Sequence, residues 1–241
     1  MELLNKYKPL LVLDKKEDYY PGSAINYINM SYFKLNDGTE KHFNNKKDRF
    51  NFFKSLAENN EISQILIEKE YKNYKTIDKE INIEKKTISP PVYCHVLEKG
   101  NLKQLIYVYF YNFNGPKKVL NLFPVGDHLA DIELIVIQLK NDRPDKVFLS
   151  QHISGEWKSF EDMYKIKDQI IVFSAVNSHA HYSQPGKYIR IFGFGNDNCS
   201  KGKKVDAKIE YLKKGDPLYD YKGYFGKKIR SFNSRFHWYK N

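Results

Sequence analysis

Apolar and polar positions alternate with a period near two through much of the chain, and that period predicts strands. Runs at about 92–97, 104–112, 132–140, 146–152, 170–176 and 187–194 are rich in Val, Ile, Phe and Tyr and are separated by turn-forming residues. Shorter strands are expected over Tyr7–Leu13, Ile62–Ile67 and Val205–Leu212, the last from alternation of Val205, Ala207, Ile209 and Tyr211. Helical spacing is confined to the N-terminal part. Ser23 is placed to cap a brief helix running to Met30, and Phe50, Phe53, Leu56 and Ala57 share a face of a helix over 46–59. The fold expected is mainly β, a β-sandwich with one or two short N-terminal helices.

Punctuation divides the pattern without separating domains. Ser89-Pro90-Pro91 marks a boundary between a variable part (1–88) and a β-rich body (89–195), which a basic, aromatic C-terminal segment (196–241) follows. We expect one domain over 1–241. Lys69 to Lys86 is charged throughout and is expected as an exposed extension.

Composition narrows the classes. The chain has 241 residues, 41% of them hydrophobic, enough for a sizeable core rather than disorder. No run approaches a membrane-spanning length, and the N-terminus lacks the apolar core of a signal peptide, so an intracellular protein is expected. Cys94 and Cys199 are the only cysteines and are expected reduced and buried. The net charge is +11, yet arginine supplies only five of the 40 basic residues. Lysine excess gives diffuse attraction to anionic surfaces and does not indicate a specific nucleic-acid reader. The C-terminal aromatics interleaved with Lys222, Lys227, Lys228, Arg230 and Arg235 suit an anionic membrane surface, single-stranded nucleic acid, or a tail that packs its rings on the body.

Candidate chemistry centres on Gly126-Asp127-His128-Leu129-Ala130-Asp131-Ile132-Glu133. On a strand, Asp131 and Glu133 project from one face, with Ile135 and Ile137 following on it. His128 can fold back over the strand end, and Asp127 is a possible fourth donor. Carboxylates with one imidazole suit a hard divalent ion, Mg²⁺ or Ca²⁺ and also Mn²⁺, better than a structural zinc. The other reading is a loop with solvated acids. A hairpin turn over Asn141–Asp145 would carry His152 to the Asp131 end, and His179 and His181 follow the strand ending at Val176. His42, His95, His181 and His237 are expected to be structural. Tyr107, Tyr109 and Tyr111 line one strand face, as core or as a platform for a sugar or headgroup.

These motifs resemble the vacuolar protein sorting-associated protein 62-like family, whose signature is G-D-H-x-x-D-W-E. Tyr19-Tyr20-Pro21-Gly22-Ser23, Pro91-Val92-Tyr93-Cys94-His95-Val96, the aromatic run from Tyr107 to Gly115, Ser150-Gln151-His152-Ile153-Ser154-Gly155-Glu156-Trp157 and Asn177-Ser178-His179-Ala180-His181-Tyr182 follow that family's pattern in order over roughly residues 9 to 195. This likeness favours a site role for His152 and His179. More distantly, the motif resembles the G-H-R-H-D-W-E of necrosis- and ethylene-inducing peptide-like proteins. The resemblance implies a β-sandwich, cation binding at His128, Asp131 and Glu133, and engagement of sphingolipid headgroups. Ile132 departs from both patterns, which have Trp there.

Three functions are compatible with the sequence. The first is a divalent-cation-dependent binding module for a glycan or lipid headgroup at an anionic surface. The second is a structural or interaction protein, such as a minor particle or coat component, carrying a vestigial motif. The third is a metal-assisted hydrolase with Glu133 or His179 as general base, although no nucleophile elbow, phosphate loop or zinc-protease motif accompanies it.

Overall fold

A computed structural model describes residues 1–68, 81–82, 87–119, 123–152, 154–189 and 196–240. Its principal strands are β1 (Leu10–Leu13), β2 (Ser31–Leu35), β3 (Ser63–Ile67), β4 (Pro91–Lys99), β5 (Leu102–Asn114), β6 (His128–Lys140), β7 (Arg143–Gln151), β8 (Ser154–Ser159), β9 (Gln169–Ser174), β10 (His181–Tyr182), β11 (Gly186–Tyr188), β12 (Asp197–Cys199), β13 (Lys204–Val205), β14 (Lys208–Tyr211) and β15 (Tyr224–Phe225). Among the described residues they are accompanied by the α-helices α1 (Glu2–Lys6), α2 (Ala24–Asn29), α3 (Lys46–Glu58) and α4 (Pro217–Asp220).

A six-stranded sheet ordered β8-β7-β6-β5-β4-β14 forms the middle of the structure. Its two long strands, β5 and β6, pair antiparallel from His128↔Asn114 to Lys140↔Leu102. Asn141 and Asp142 both take positive φ (53° and 60°), the geometry that lets a two-residue turn follow the twist of the β6–β7 hairpin. The β6–β7 register slips between Gln138 and Leu139, where Pro144 has no N–H to give.

Both faces of this sheet are buried. On one, Leu105, Tyr107, Tyr109, Ile135, Ile137 and Leu149 pack against Leu11, Leu13, Ile170 and Val172 from a second sheet built on β9, β1 and β13. On the other, Ile106, Val108, Phe110, Ile132, Leu134 and Val136 pack against α2, α3 and a third sheet containing β2, β3 and β15. Two-sided burial explains why every residue from Ala130 to Leu139 is buried, where a half-solvated strand would alternate. The fold is therefore mainly β, as expected, with a sandwich of two sheets to which a third layer is added.

Most expected elements recur with slightly shifted ends; of the strand expected over 187–194, Gly186–Tyr188 is strand and 190–194 lies outside the described residues. Ser23 caps α2 by accepting the Asn26 N–H, and Asn45 caps α3 by accepting that of Asp48. Helix α1 was not expected; it buries Leu4, whose carbonyl accepts the Tyr107 hydroxyl. The expected strand over 205–212 is two strands, because the chain leaves one sheet after Val205 and joins another at Lys208. Lys69 to Lys86 lies outside the described residues except for Ile81–Asn82, which pairs with Thr87–Ile88. Cys94 and Cys199 are both buried thiols. The C-terminal aromatics pack on the body: Phe232 and Phe236 are buried, Tyr239 and Gln104 exchange hydrogen bonds, and the Trp157 indole donates to the Lys240 carbonyl. Among the described residues no helix is long and apolar enough to cross a membrane.

Candidate functional site

Alternation along β6 places Asp131 and Glu133 on the face that carries Ile135 and Ile137, as predicted, so both acids point between two sheets. Burial of an unpaired carboxylate is costly, and each acid has dedicated donors. Asp131 accepts the Ile132 N–H at 2.9 Å with one oxygen and the His179 Nδ1–H at 2.9 Å with the other. Glu133 accepts the Ser150 hydroxyl from β7 and a backbone bond from His152. Burial and the neighbouring Asp131 charge nonetheless hold the Glu133 carboxyl well above its ordinary value, against the pull of Ser150 and Arg235.

His179 is fully buried, with its ring stacked on Tyr111 at a centroid distance of 3.7 Å. A carboxylate offers only acceptors, so the Asp131 bond fixes the proton on Nδ1. Nε2 then faces the Glu17 carboxyl at 4.0 Å. Glu17 is raised by burial, against the charge of His179 and bonds from the backbone N–H groups of Tyr19, Asn177 and Asp18. His181, equally buried, bonds the Leu134 carbonyl at 3.2 Å and lies edge-on to Tyr109; burial lowers it to about 4. Acids from the N-terminal segment and β6 thus meet histidines from the 177–182 segment inside one polar compartment.

The other predicted donors are elsewhere. Asp127 is exposed, and His128 turns its Nδ1–H back to the Ala130 carbonyl at 2.7 Å. Ala130 adopts a φ of 58°, which takes the backbone before it out of the strand's regular alternation. The hairpin carries His152 to the Asp131 end as expected. Its own φ of 60° then turns the ring to Asp197, whose carboxylate also accepts the Ser178 and Tyr182 hydroxyls at 2.7 Å each. The expected cation cage over Asp127, His128, Asp131 and Glu133 is therefore not assembled. Among the described residues no three His, Cys, Asp or Glu side chains converge to hold an ion. Both Asp131 oxygens and one Glu133 oxygen already accept protein donors, while Asp127 and His128 stand apart from them. The donor set in this arrangement does not fit such an ion.

A cleft opens beside the compartment. About 460 Å³ in volume, it is lined by Gln151, Glu156, Lys158, Tyr182, Ser183, Gln184, Tyr188 and Ile189. Its wall is tied to the buried cluster, because the Gln151 amide donates to both the Glu156 carboxylate and the His181 carbonyl, at 3.2 Å each. Tyr182 and Tyr188 stack at 3.7 Å with 14° between their planes. Glu17, Asp197 and the Tyr182–Tyr188 pair carried no local sequence signal as site residues; their partners lie far away in the chain.

The sequence profile of the vacuolar protein sorting-associated protein 62 family matches residues 1–213. The chain belongs to that family. Vacuolar protein sorting-associated protein 62 of Saccharomyces cerevisiae is 27% identical over 140 residues, covering 50% of this chain and 30% of the relative. A putative vacuolar protein sorting-associated protein of the same yeast is 25% identical over 117 residues, covering 41% of this chain and 25% of the relative. The chain thus spans less than a third of either family member. Necrosis- and ethylene-inducing peptide-like proteins are similar in general shape. The protein NLPPya, solved in complex with glucosamine, has a TM-score of 0.45 at 10% identity, covering 88% of this chain and 72% of that one. Necrosis and Ethylene inducing Protein 2, from the causal agent of cocoa's Witches Broom disease, has a TM-score of 0.34 at 11% identity, covering 51% and 50%.

Proposed function

We propose that this protein is a binding module for a polyhydroxylated ligand, a glycan or a glycolipid headgroup, received in the cleft between β8 and the 182–189 segment. The cleft lining carries this reading. The outer face of Tyr188 offers a platform for the C–H face of a sugar ring, and Gln151, Gln184, Glu156 and Lys158 supply donors and acceptors around it. The buried compartment acts as its support: Asp131 and the Leu134 carbonyl lock His179 and His181, which fixes the strand that presents Tyr182. The lysine-rich surface adds salt-screened attraction to an anionic membrane. A hydrolase reading loses its base, because Glu133 and His179 are sealed between sheets at 3% and 0% exposure.

The test is a screen of immobilised neutral and amino sugars with the full chain, followed by calorimetric titration of the best binder. Tyr188→Ala or Glu156→Gln should weaken the interaction about tenfold, the equivalent of one good contact of about 1.4 kcal/mol. Equal binding by wild type and both variants would remove the cleft from the function.

A further inference from the structure

A second site stands away from this cleft, on the other outer layer. The N-terminus of α3, with Asn29, His42, Phe43, Asn44 and Glu68, encloses a cavity of about 430 Å³. Arg49 lines it and is only 7% exposed. Its Nη1 donates to the Asn29 carbonyl and its Nη2 to the Phe43 carbonyl at 2.6 Å, while its buried Nε has no hydrogen-bond partner. A guanidinium carries five N–H donors, and a charge this deeply buried ordinarily has an acid beside it. No carboxylate is ion-paired with Arg49 among the described residues.

The nearby acids are engaged elsewhere. Glu68, the one carboxylate in the lining, gives its oxygens to His42 Nδ1 at 3.0 and 3.2 Å. Glu40 lies 3.7 Å from the other nitrogen of the same ring, and Asp48 accepts the Asn45 amide at 2.7 Å. The helix start adds its own field, since the first N–H groups of a 13-residue helix have no intrahelical acceptor and its dipole favours an anion. Lys46 stands exposed at the mouth.

We propose that this cavity binds a phosphate group, held by the unspent donors of Arg49, the Lys46 and Lys47 N–H groups at the start of α3 (that of Asp48 is taken by the Asn45 cap) and the Lys46 ammonium. A tetrahedral oxyanion matches donors converging from a helix start and a guanidinium edge, and it supplies the counter-charge that Arg49 lacks. The group can come from a free phosphate or from the phosphomonoester head of a lipid.

The experiment titrates the full chain with inorganic phosphate at fixed ionic strength. In parallel it measures sedimentation with phosphatidylcholine vesicles, with and without phosphatidic acid. Saturable phosphate binding, weakened about tenfold or more by Lys46→Glu and restored to near wild type by Lys46→Arg, supports the site and a soluble source. Binding to phosphatidic acid vesicles alone, with the same dependence on Lys46, supports it with a lipid source. Arg49→Gln should abolish both; should that variant not fold, the exposed Lys46 pair decides. Absence of saturable phosphate binding, together with vesicle binding indifferent to Lys46→Glu, overturns the proposal and leaves diffuse lysine attraction. Because the sugar-facing cleft shares no residue with this cavity, Tyr188→Ala should leave phosphate binding unchanged.

Discussion

The two halves of β6 are buried alike and stabilised differently. From Ile135 to Leu139 the strand carries apolar side chains, apart from Gln138, into cores on both faces, and shape complementarity is enough. Four and two residues before Ile135, Asp131 and Glu133 occupy similarly dry positions on the same face, and each needs named partners from other segments. The apolar half tolerates change in proportion to volume lost. The polar half depends on its partners as a set, because removing one strands another. Its role is to fix where the 177–182 segment lies, and therefore where the cleft wall stands.

The sharpest way to break the contrast is Asp131→Ala, which leaves His179 buried without its acceptor. Urea unfolding should show a loss of roughly 3–5 kcal/mol, the cost of orphaning one member of a buried pair. Ile137→Val in the apolar half should cost only about 1 kcal/mol by the same measurement. Comparable losses at the two positions would erase the distinction.

Proton linkage sharpens it further, because only the polar half titrates. Glu133 is raised from 4.5, so it binds a proton more tightly folded than unfolded. The stability it contributes is full below about pH 4.5 and is lost as pH rises through its elevated folded value. Glu133→Gln, which keeps an acceptor for Ser150, should therefore shallow the decline in unfolding free energy above pH 4.5; Glu17, also raised, sustains the remainder. His181 has the opposite sign. Lowered from 6.5 to about 4, it contributes stability that is full above pH 6.5 and lost as pH falls toward 4. His181→Gln should flatten that acid-side loss, and an unchanged slope would deny the burial its effect. The smallest effect belongs to half-exposed Tyr188: Tyr188→Ala should cost under about 1 kcal/mol in stability while weakening sugar binding about tenfold.

Much of this was legible in the sequence where local chemistry decides. The Ser23 cap, the amphipathic helix expected over 46–59, the hairpin turn expected within Asn141–Asp145 and the shared face of Asp131 and Glu133 follow from spacing and turn residues. What the sequence hides is set by long-range pairing or by backbone conformation. Glu17 meets His179 across 162 positions, and a left-handed residue at His152 sends its ring to Asp197 instead of the motif acids. Likewise the third layer turned an expected two-sheet sandwich into a sheet buried on both sides, which only the continuous apolar run of β6 hinted at.

We infer that the motif acids and histidines form a support closed by protein partners, with no ion bound. Thermal unfolding of wild type and of Asp131→Asn/Glu133→Gln, in chelator and across increasing Mg²⁺, Ca²⁺ and Mn²⁺, tests it most directly. Stabilisation by a bound ion grows with the logarithm of its concentration over its dissociation constant. A wild-type midpoint that stays constant across the series is the predicted result; a midpoint that climbs with ion concentration in wild type but not in the double variant would contradict it.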